Sequence, residues 1–480
     1  MLVPHEPDLD PRVDWVIKLC AEIGKTDIFG FVFETKRPLR EYDQTIYLER
    51  VLYQDLSMPP MMRFLNRLIL GQFHPRLLLH YIYYTIHHVA YLLVKSLPRG
   101  EALIAKARRI KQDIRKESSI DASRRGEIPE GSVSISEQEP KAPSIIRHSG
   151  SENSITQRVN VLLNIWKSFY SQKMIAHTLF QRARASSIVP KVIVCHDIQA
   201  LEAGVKLKEK FRARLLYDSH ELWIEGDLTA TSLEKHIVKI RERKLIRCAD
   251  IVITVTPQIA RYLEKVYGIE NVLTVPNAEP LLPHLYTDRT VSLPVKFLLQ
   301  GRATPGRGFE EFLELWSRLD DSRALLILRC PDNPFFTCLK QKYKHLIDQG
   351  KIVVATPVKE TDLVQAASSA DVGIIPYGGP NLNHVYACPN KLSQYMQAGL
   401  AILHNSDQQY VTEIVSRRSC GVSYDVSNPS SLLDVVRNLL DDPELLRKMK
   451  RNSYETARSE FNWEIQSKAY SQAIQRLFEA

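Results

Sequence analysis

Three short segments of this 480-residue chain combine residue types that could hold a phosphorylated ligand and act on it. The first runs Phe297-Leu298-Leu299-Gln300-Gly301-Arg302-Ala303-Thr304-Pro305-Gly306-Arg307-Gly308-Phe309, a strand-like stretch that ends in a glycine-rich loop and opens into a helical pattern from Glu310 to Leu319. Glycines let backbone amides approach an anion, a helix start adds partial positive charge, and Arg302 and Arg307 can bridge two phosphates. A diphosphate is therefore the expected ligand. The segment lacks both the Gly-Lys-Ser/Thr ending of an ATP-cleaving P-loop and the Gly-x-Gly-x-x-Gly dinucleotide pattern. Its plain alternative is a solvent-exposed arginine loop.

The second segment, Ala387-Cys388-Pro389-Asn390-Lys391-Leu392-Ser393-Gln394-Tyr395-Met396-Gln397-Ala398-Gly399-Leu400, reads as a loop entering a short helix and then a buried strand. Asn390 is a strong helix-cap type, and Lys391 and Gln394 in the following turn could reach sugar hydroxyls. Alone it is equally a capped structural helix. The third segment pairs Cys195-His196-Asp197 with Asp218-Ser219-His220-Glu221-Leu222 one unit later. Each puts a histidine at the carboxyl end of a strand, where ligands bind in doubly wound sheets, and a neighbouring acid can fix its tautomer.

These segments need a scaffold, and the chain supplies one rhythm for it. From Pro190 onward, short β-branched runs alternate with amphipathic stretches, which predicts β-α units on parallel sheets. The predicted strands are 191–195, 214–218, 251–256 and 271–275, then 295–300, 324–330, 351–355, 371–376, 400–404 and 421–424. Between the two groups lies a proline-bearing stretch, 278–294, read as a linker. The fold class is thus α/β, with two doubly wound, Rossmann-like domains. The first spans 1–285, and the second spans 286–480 and is closed by helices near 429–440, 444–460 and 463–478.

Composition agrees, with 44% hydrophobic and 25% charged residues and a length beyond one core's usual reach. A net charge of +9 favours anionic company. The seven cysteines show no paired C-x-x-C spacing, so a reducing cytoplasm is expected rather than a zinc or disulfide framework. The chain turns acidic before any apolar core region forms, so no signal peptide is expected. The run 77–94 is apolar but holds His80, His87 and His88, which makes a membrane span costly. It is followed by the Lys- and Arg-rich stretch 99–116, a pairing that suits peripheral contact with an anionic membrane surface; a core helix with a solvated tail is the alternative. The insertion 98–154 is too polar to fold alone. Its basic residues lack interleaved aromatics, so no nucleic-acid partner is expected.

Taken together, Asp10-Pro11-Arg12-Val13, His196-Asp197, Asp218-Ser219-His220-Glu221, Ala249 to Thr256, Pro276-Asn277, Gly301-Arg302, Arg307-Gly308 and Pro389-Asn390-Lys391-Leu392 resemble family 4 of the retaining, GT-B glycosyltransferases. The resemblance implies that the second domain holds a nucleotide-diphosphate sugar as donor substrate, with no further cofactor. It implies that the first domain holds a glycan or lipid-linked acceptor. On that basis His196, Arg302 and Arg307 are the catalytic expectations. Gly301, Gly308, Asn390, Lys391 and Gln394 would bind the donor, and Asp197, His220, Glu221 and Asn277 would line the acceptor cleft. No metal is implied, because preorganised cations can neutralise a leaving diphosphate.

The chain departs from the family pattern in having Gln394 and Tyr386 where glutamates are usual. An amide accepts only through its oxygen and so holds ribose more weakly. Two other readings stand beside the transferase: a catalytically silent, transferase-like scaffold and a sugar-nucleotide epimerase on the same fold.

Overall fold

The computed structural model describes residues 1–4, 10–32, 46–52, 169 and 172–479, except 228–229, 283–285, 287 and 289. The stretches 77–94, 98–154 and 99–116, including the proposed membrane contact, lie outside the described residues.

Two parallel sheets carry the fold. The first is formed by β1 (Leu2–Val3), β2 (Thr26–Val32), β3 (Ile46–Leu52), β4 (Val192–His196), β5 (Arg214–Ser219), β6 (Ile251–Thr254) and β7 (Leu273–Thr274), in the order β3-β2-β1-β4-β5-β6-β7. The second is formed by β8 (Val295–Gln300), β9 (Ala324–Arg329), β10 (Ile352–Val354), β11 (Val372–Ile375), β12 (Ala401–Asn405) and β13 (Gly421–Tyr424), in the order β10-β9-β8-β11-β12-β13. Every strand pairing within both sheets is parallel. Central strands such as β11 and β12 are buried along their whole length, which is why their sequences lack polar alternation.

Each predicted strand from residue 191 onward is present to within a residue or two. β2 and β3 were not predicted. The strand order reverses between β1 and β4 and between β8 and β11, and the chain brings its chemistry to these crossover edges. β4 delivers His196 and β8 delivers Gln300 and the glycine loop behind it.

The last helix departs from expectation. Helix Trp463–Glu479 does not close the second domain but packs against the first sheet, burying Trp463, Tyr470, Ile474 and Leu477 among Trp15, Val194, Leu216 and Ile253. Trp15 and Trp463 stand 5.5 Å apart between ring centroids. The apolar period of 463–478 specifies a helix but is silent on which sheet it covers, and the first sheet leaves a face open beside helix Pro11–Ile23. Ile474→Ala should therefore destabilise the first sheet by about 2–5 kcal/mol, the range for truncating a fully buried aliphatic side chain. Urea unfolding monitored by tryptophan fluorescence checks this; a loss below about 1 kcal/mol would show that the helix contributes little to that core.

Candidate functional site

The first half of the site is a buried charge network at the carboxyl ends of β4 and β5. Asp10 caps helix Pro11–Ile23, accepting from the backbone amides of Arg12 and Val13. This cap aims Arg12 inward. Its guanidinium meets Asp218 in a two-pronged pair, Nε to Oδ2 at 3.0 Å and Nη2 to Oδ1 at 2.9 Å. Nη1 also donates to the Val275 carbonyl at 2.8 Å and to Asn277 Oδ1 at 3.2 Å. Burial would raise the Asp218 pKa, but Arg12 and the neighbouring histidines outweigh it and hold the carboxyl far below its ordinary value.

His220 lies 3.1 Å through Nδ1 from Asp10 Oδ2 and 2.8 Å through Nε2 from His196 Nδ1. Its backbone amide donates to Asp197 Oδ1 at 3.1 Å. Burial disfavours its charge, yet the carboxylates of Asp197, Asp10 and Asp218 prevail and raise its pKa well above the usual histidine value. His220 is therefore an imidazolium that donates from both ring nitrogens. His196 is fully buried, and that burial together with the His220 charge lowers its pKa to about 3. It is neutral and accepts through Nδ1, so its proton rests on Nε2. Among the described residues that Nε2 has no hydrogen-bond partner. The network thus ends in a neutral N–H donor. Asp197, which follows, adopts φ 57°, a left-handed conformation that aspartate tolerates better than most residues, and so turns sharply into helix Asp197–Phe211.

His196, Asp218 and His220 also hold ligand atoms within 4.8 Å of one another, close enough to share a metal ion. Their facing atoms instead bond one another, and Arg12 engages both Asp218 oxygens.

The second half lies on the other sheet. Gly301 and Gly308 adopt φ 103° and 74°, and a Cβ on Gly308 would lie 1.9 Å from the Pro376 carbonyl oxygen. Only glycine lets the loop pass this strand end and enter helix Phe309–Trp316, which is anchored by buried Phe309, Phe312 and Trp316. Lys391 comes close to Gly301: a Cβ there would lie 3.1 Å from its Nζ. The same ammonium donates to Tyr377 Oη at 2.7 Å, and the Arg307 guanidinium sits 5.8 Å from the Tyr377 ring centroid. Burial alone would raise the Tyr377 pKa, but Lys391 and Arg307 lower it. His384 stacks on Tyr377, and burial together with Arg307 lowers its pKa to about 4. Arg302 is exposed. Among the described residues, Arg302, Arg307 and Lys391 form no salt bridge. Three cations that form no ion pair among the described residues, around a glycine loop, are an arrangement suited to an anion.

The expected residues thus fall into two groups. His196, Asp197, His220 and Asn277 belong to the first network, and Gly301, Arg302, Arg307, Gly308 and Lys391 to the cationic loop. Glu221 touches the loop's domain, since Asn383 Nδ2 donates to its Oε2 at 3.0 Å. Asn390 is a correction. Pro389 occupies the cap position and no side chain caps helix Asn390–Gln397; Asn390 is its first residue. Gln394 donates to Glu279 Oε1 at 2.9 Å. At the other departure from the family pattern, the Tyr386 carbonyl accepts from Thr256 Oγ1 at 2.8 Å. Sequence reasoning gave no role to Asp10, Arg12 or Asp218, although they lie in the quoted motifs. It missed Tyr377 and Glu279, which sit in aperiodic loops, and His384, which lies in the one-turn helix Leu382–Tyr386.

Comparison with known proteins places this geometry in a family. Residues 157–278 match the model of the glycosyl transferase 4-like domain, and 292–456 match that of glycosyl transferases group 1, together well over half of the chain. No curated protein matches. Among solved structures, sucrose-phosphate synthase from Thermosynechococcus elongatus is 14% identical with a TM-score of 0.62, covering 100% of this chain and 98% of that one. HepE of Anabaena in complex with UDP is 13% identical with a TM-score of 0.50, covering 63% and 82%. The fold is GT-B, and the chain belongs with the group 1 glycosyltransferases of that superfamily.

The histidine network carries its own prediction. Asp10→Asn removes one of the carboxylates that hold His220 charged, so its pKa should fall toward the ordinary value of about 6.5. In the wild type, the His220 ring proton resonance should stay at its imidazolium position across neutral pH, whereas in the variant it should titrate there. The stabilisation from a raised histidine pKa is complete below the unfolded value and fades as pH rises through the native one, so the contribution of His220 should be lost on the alkaline side. A wild-type His220 that titrates near 6.5 would contradict the assignment.

Proposed function

We propose that this glycosyltransferase moves a sugar from a nucleoside-diphosphate sugar to a hydroxyl acceptor with retention at the anomeric carbon, in polysaccharide or glycoconjugate synthesis. The observation that carries this reading is the trio Arg302, Arg307 and Lys391 around the glycine loop at the end of β8, which among the described residues form no salt bridge. A departing nucleoside diphosphate develops negative charge, and fixed cations that need no reorganisation stabilise it as it forms. The Anabaena structure of the same fold carries UDP, in keeping with such a donor.

The transferred sugar would lie toward His196, whose Nε2–H can donate to a sugar hydroxyl while His220 and Asp10 hold the tautomer. The acceptor would enter from the first domain, past Glu221 and Asn277. A divalent ion is not required for charge neutralisation in this scheme. The reading extends to a cytoplasmic protein with a lipid-linked acceptor and a peripheral membrane contact through 77–116. Among the described residues no helix is long and apolar enough to cross a membrane.

Incubation with UDP-, GDP- and ADP-sugars, assayed for free nucleoside diphosphate with and without acceptor, tests the reading. Acceptor-dependent release supports transfer. An absence of release from every donor would favour the silent scaffold suggested by Gln394 and Tyr386. Arg302→Ala and Arg307→Ala should each lower kcat tenfold or more, the scale expected when a charge-assisted contact is lost in a shielded cleft, with circular dichroism unchanged. Wild-type kinetics in both variants would refute the diphosphate assignment. Chelation should leave turnover intact; a loss reversed by magnesium or manganese would refute metal independence.

A further inference from the structure

The cationic loop accounts for a diphosphate and His196 faces the sugar side, which leaves the nucleoside end of the donor without a recognition group. The structure offers one. Glu279 follows the Pro276-Asn277 turn and is fixed against the start of helix Asn390–Gln397 by its backbone: its amide donates to Ser393 Oγ at 2.7 Å, and its carbonyl accepts from Gln397 Nε2 at 2.8 Å. The Trp463 amide donates to the same carbonyl at 3.2 Å. The backbone of Glu279 is therefore clamped between the second domain's helix and the last helix.

Its side chain points to Gln394. Oε1 accepts the Gln394 amide at 2.9 Å, and among the described residues Oε2 has no hydrogen-bond partner. Gln394 Oε1 in turn lies 3.4 Å from Gln300 Nε2, and Gln300 Oε1 accepts from Arg329 Nη1 at 3.2 Å. The chain Glu279, Gln394, Gln300 thus ends at the residue before Gly301, where the phosphate loop begins. Among the described residues no cation pairs with Glu279, and burial raises its pKa to about 7. A half-buried carboxyl held by a single neutral amide is suited to vicinal hydroxyls, which donate to it without adding charge.

We propose that Glu279, positioned by Gln394, is the ribose-recognition residue of the nucleotide donor, accepting hydrogen bonds from the 2′- and 3′-hydroxyls. Gln394 cannot fill that role: its carbonyl oxygen faces Gln300 and its amide is spent on Glu279. The carboxylate is supplied by the interdomain linker instead of by the helix. This inference rests on the nucleoside-diphosphate reading of the site.

The test compares two probes by calorimetry: the tightest binder among UDP, GDP and ADP, and its 2′,3′-dideoxy counterpart. The wild type should prefer the ribonucleotide by about tenfold or more, the scale of one or two hydrogen bonds to a charged group. Glu279→Ala and the closer-fitting Glu279→Gln should bind both probes alike, near the wild-type affinity for the dideoxy probe. The exchange Glu279→Gln with Gln394→Glu should restore the preference. If the Glu279 variants keep the full wild-type preference, or the wild type has none, the inference fails while the donor reading stands. If the wild type binds none of the three nucleotides, the donor reading itself fails.

Discussion

The buried pair between Arg12 and Asp218 is the constraint on which the first half of the site depends. Two charges out of water are costly, and removing one partner of such a pair typically loses about 3–5 kcal/mol because the other is left uncompensated. Here the pair does more than hold charge. Arg12 also reaches the Val275 carbonyl and Asn277, so one guanidinium joins the first helix, the end of β5 and the start of the interdomain linker. The Asp218 anion then helps to keep His220 protonated, and His220 in turn sets the tautomer of His196. Each step requires the one before it. A purely apolar packing could hold the same backbone but could not specify where the last proton sits.

Charge is distributed unequally between the two halves. Asp10, Asp197 and Asp218 gather around a single imidazolium on the first sheet, whereas Arg302, Arg307 and Lys391 stand around the loop of the second. Neutral contacts join the halves: Asn383 accepts from the Leu222 amide at 2.8 Å and donates to Glu221, and Asn277 donates to the Cys388 carbonyl at 3.1 Å. Amide side chains serve well here, since they fix geometry without consuming the cations' charge.

How much of this was legible in the sequence follows from the kind of signal each part leaves. Buried parallel strands are runs of β-branched and aliphatic residues, so those from Val192 to Tyr424 could be located in advance. β2, Thr26–Val32, was missed because its Thr-Asp start and internal glycine break that run. The glycine loop was legible because Gly308 cannot be replaced where the Pro376 carbonyl passes so close. Helix Trp463–Glu479 left a clear period but no hint of its partner, because amphipathicity specifies a face and never the surface it covers. Asn390 looked like a cap by type, yet Pro389 before it already adopts the extended backbone of that position. Glu279 and Tyr377 sit in loops and His384 in a helix of a single turn, Leu382–Tyr386, where proximity is created by the fold and leaves no local pattern.

The charge state of His196 follows from keeping two tasks apart. A cation beside the transferred sugar would compete with the arginines for the diphosphate and draw the donor out of register, since the attraction between unit charges in a partly buried cleft is worth about 4 kcal/mol at 4 Å. Burial and the neighbouring imidazolium both push His196 toward neutrality, leaving an uncharged N–H donor. His220 bears the charge instead, beside the carboxylates of Asp197, Asp10 and Asp218. If the proposed transfer holds, the acidic cluster is what would allow a histidine to stand beside the sugar without attracting the phosphates.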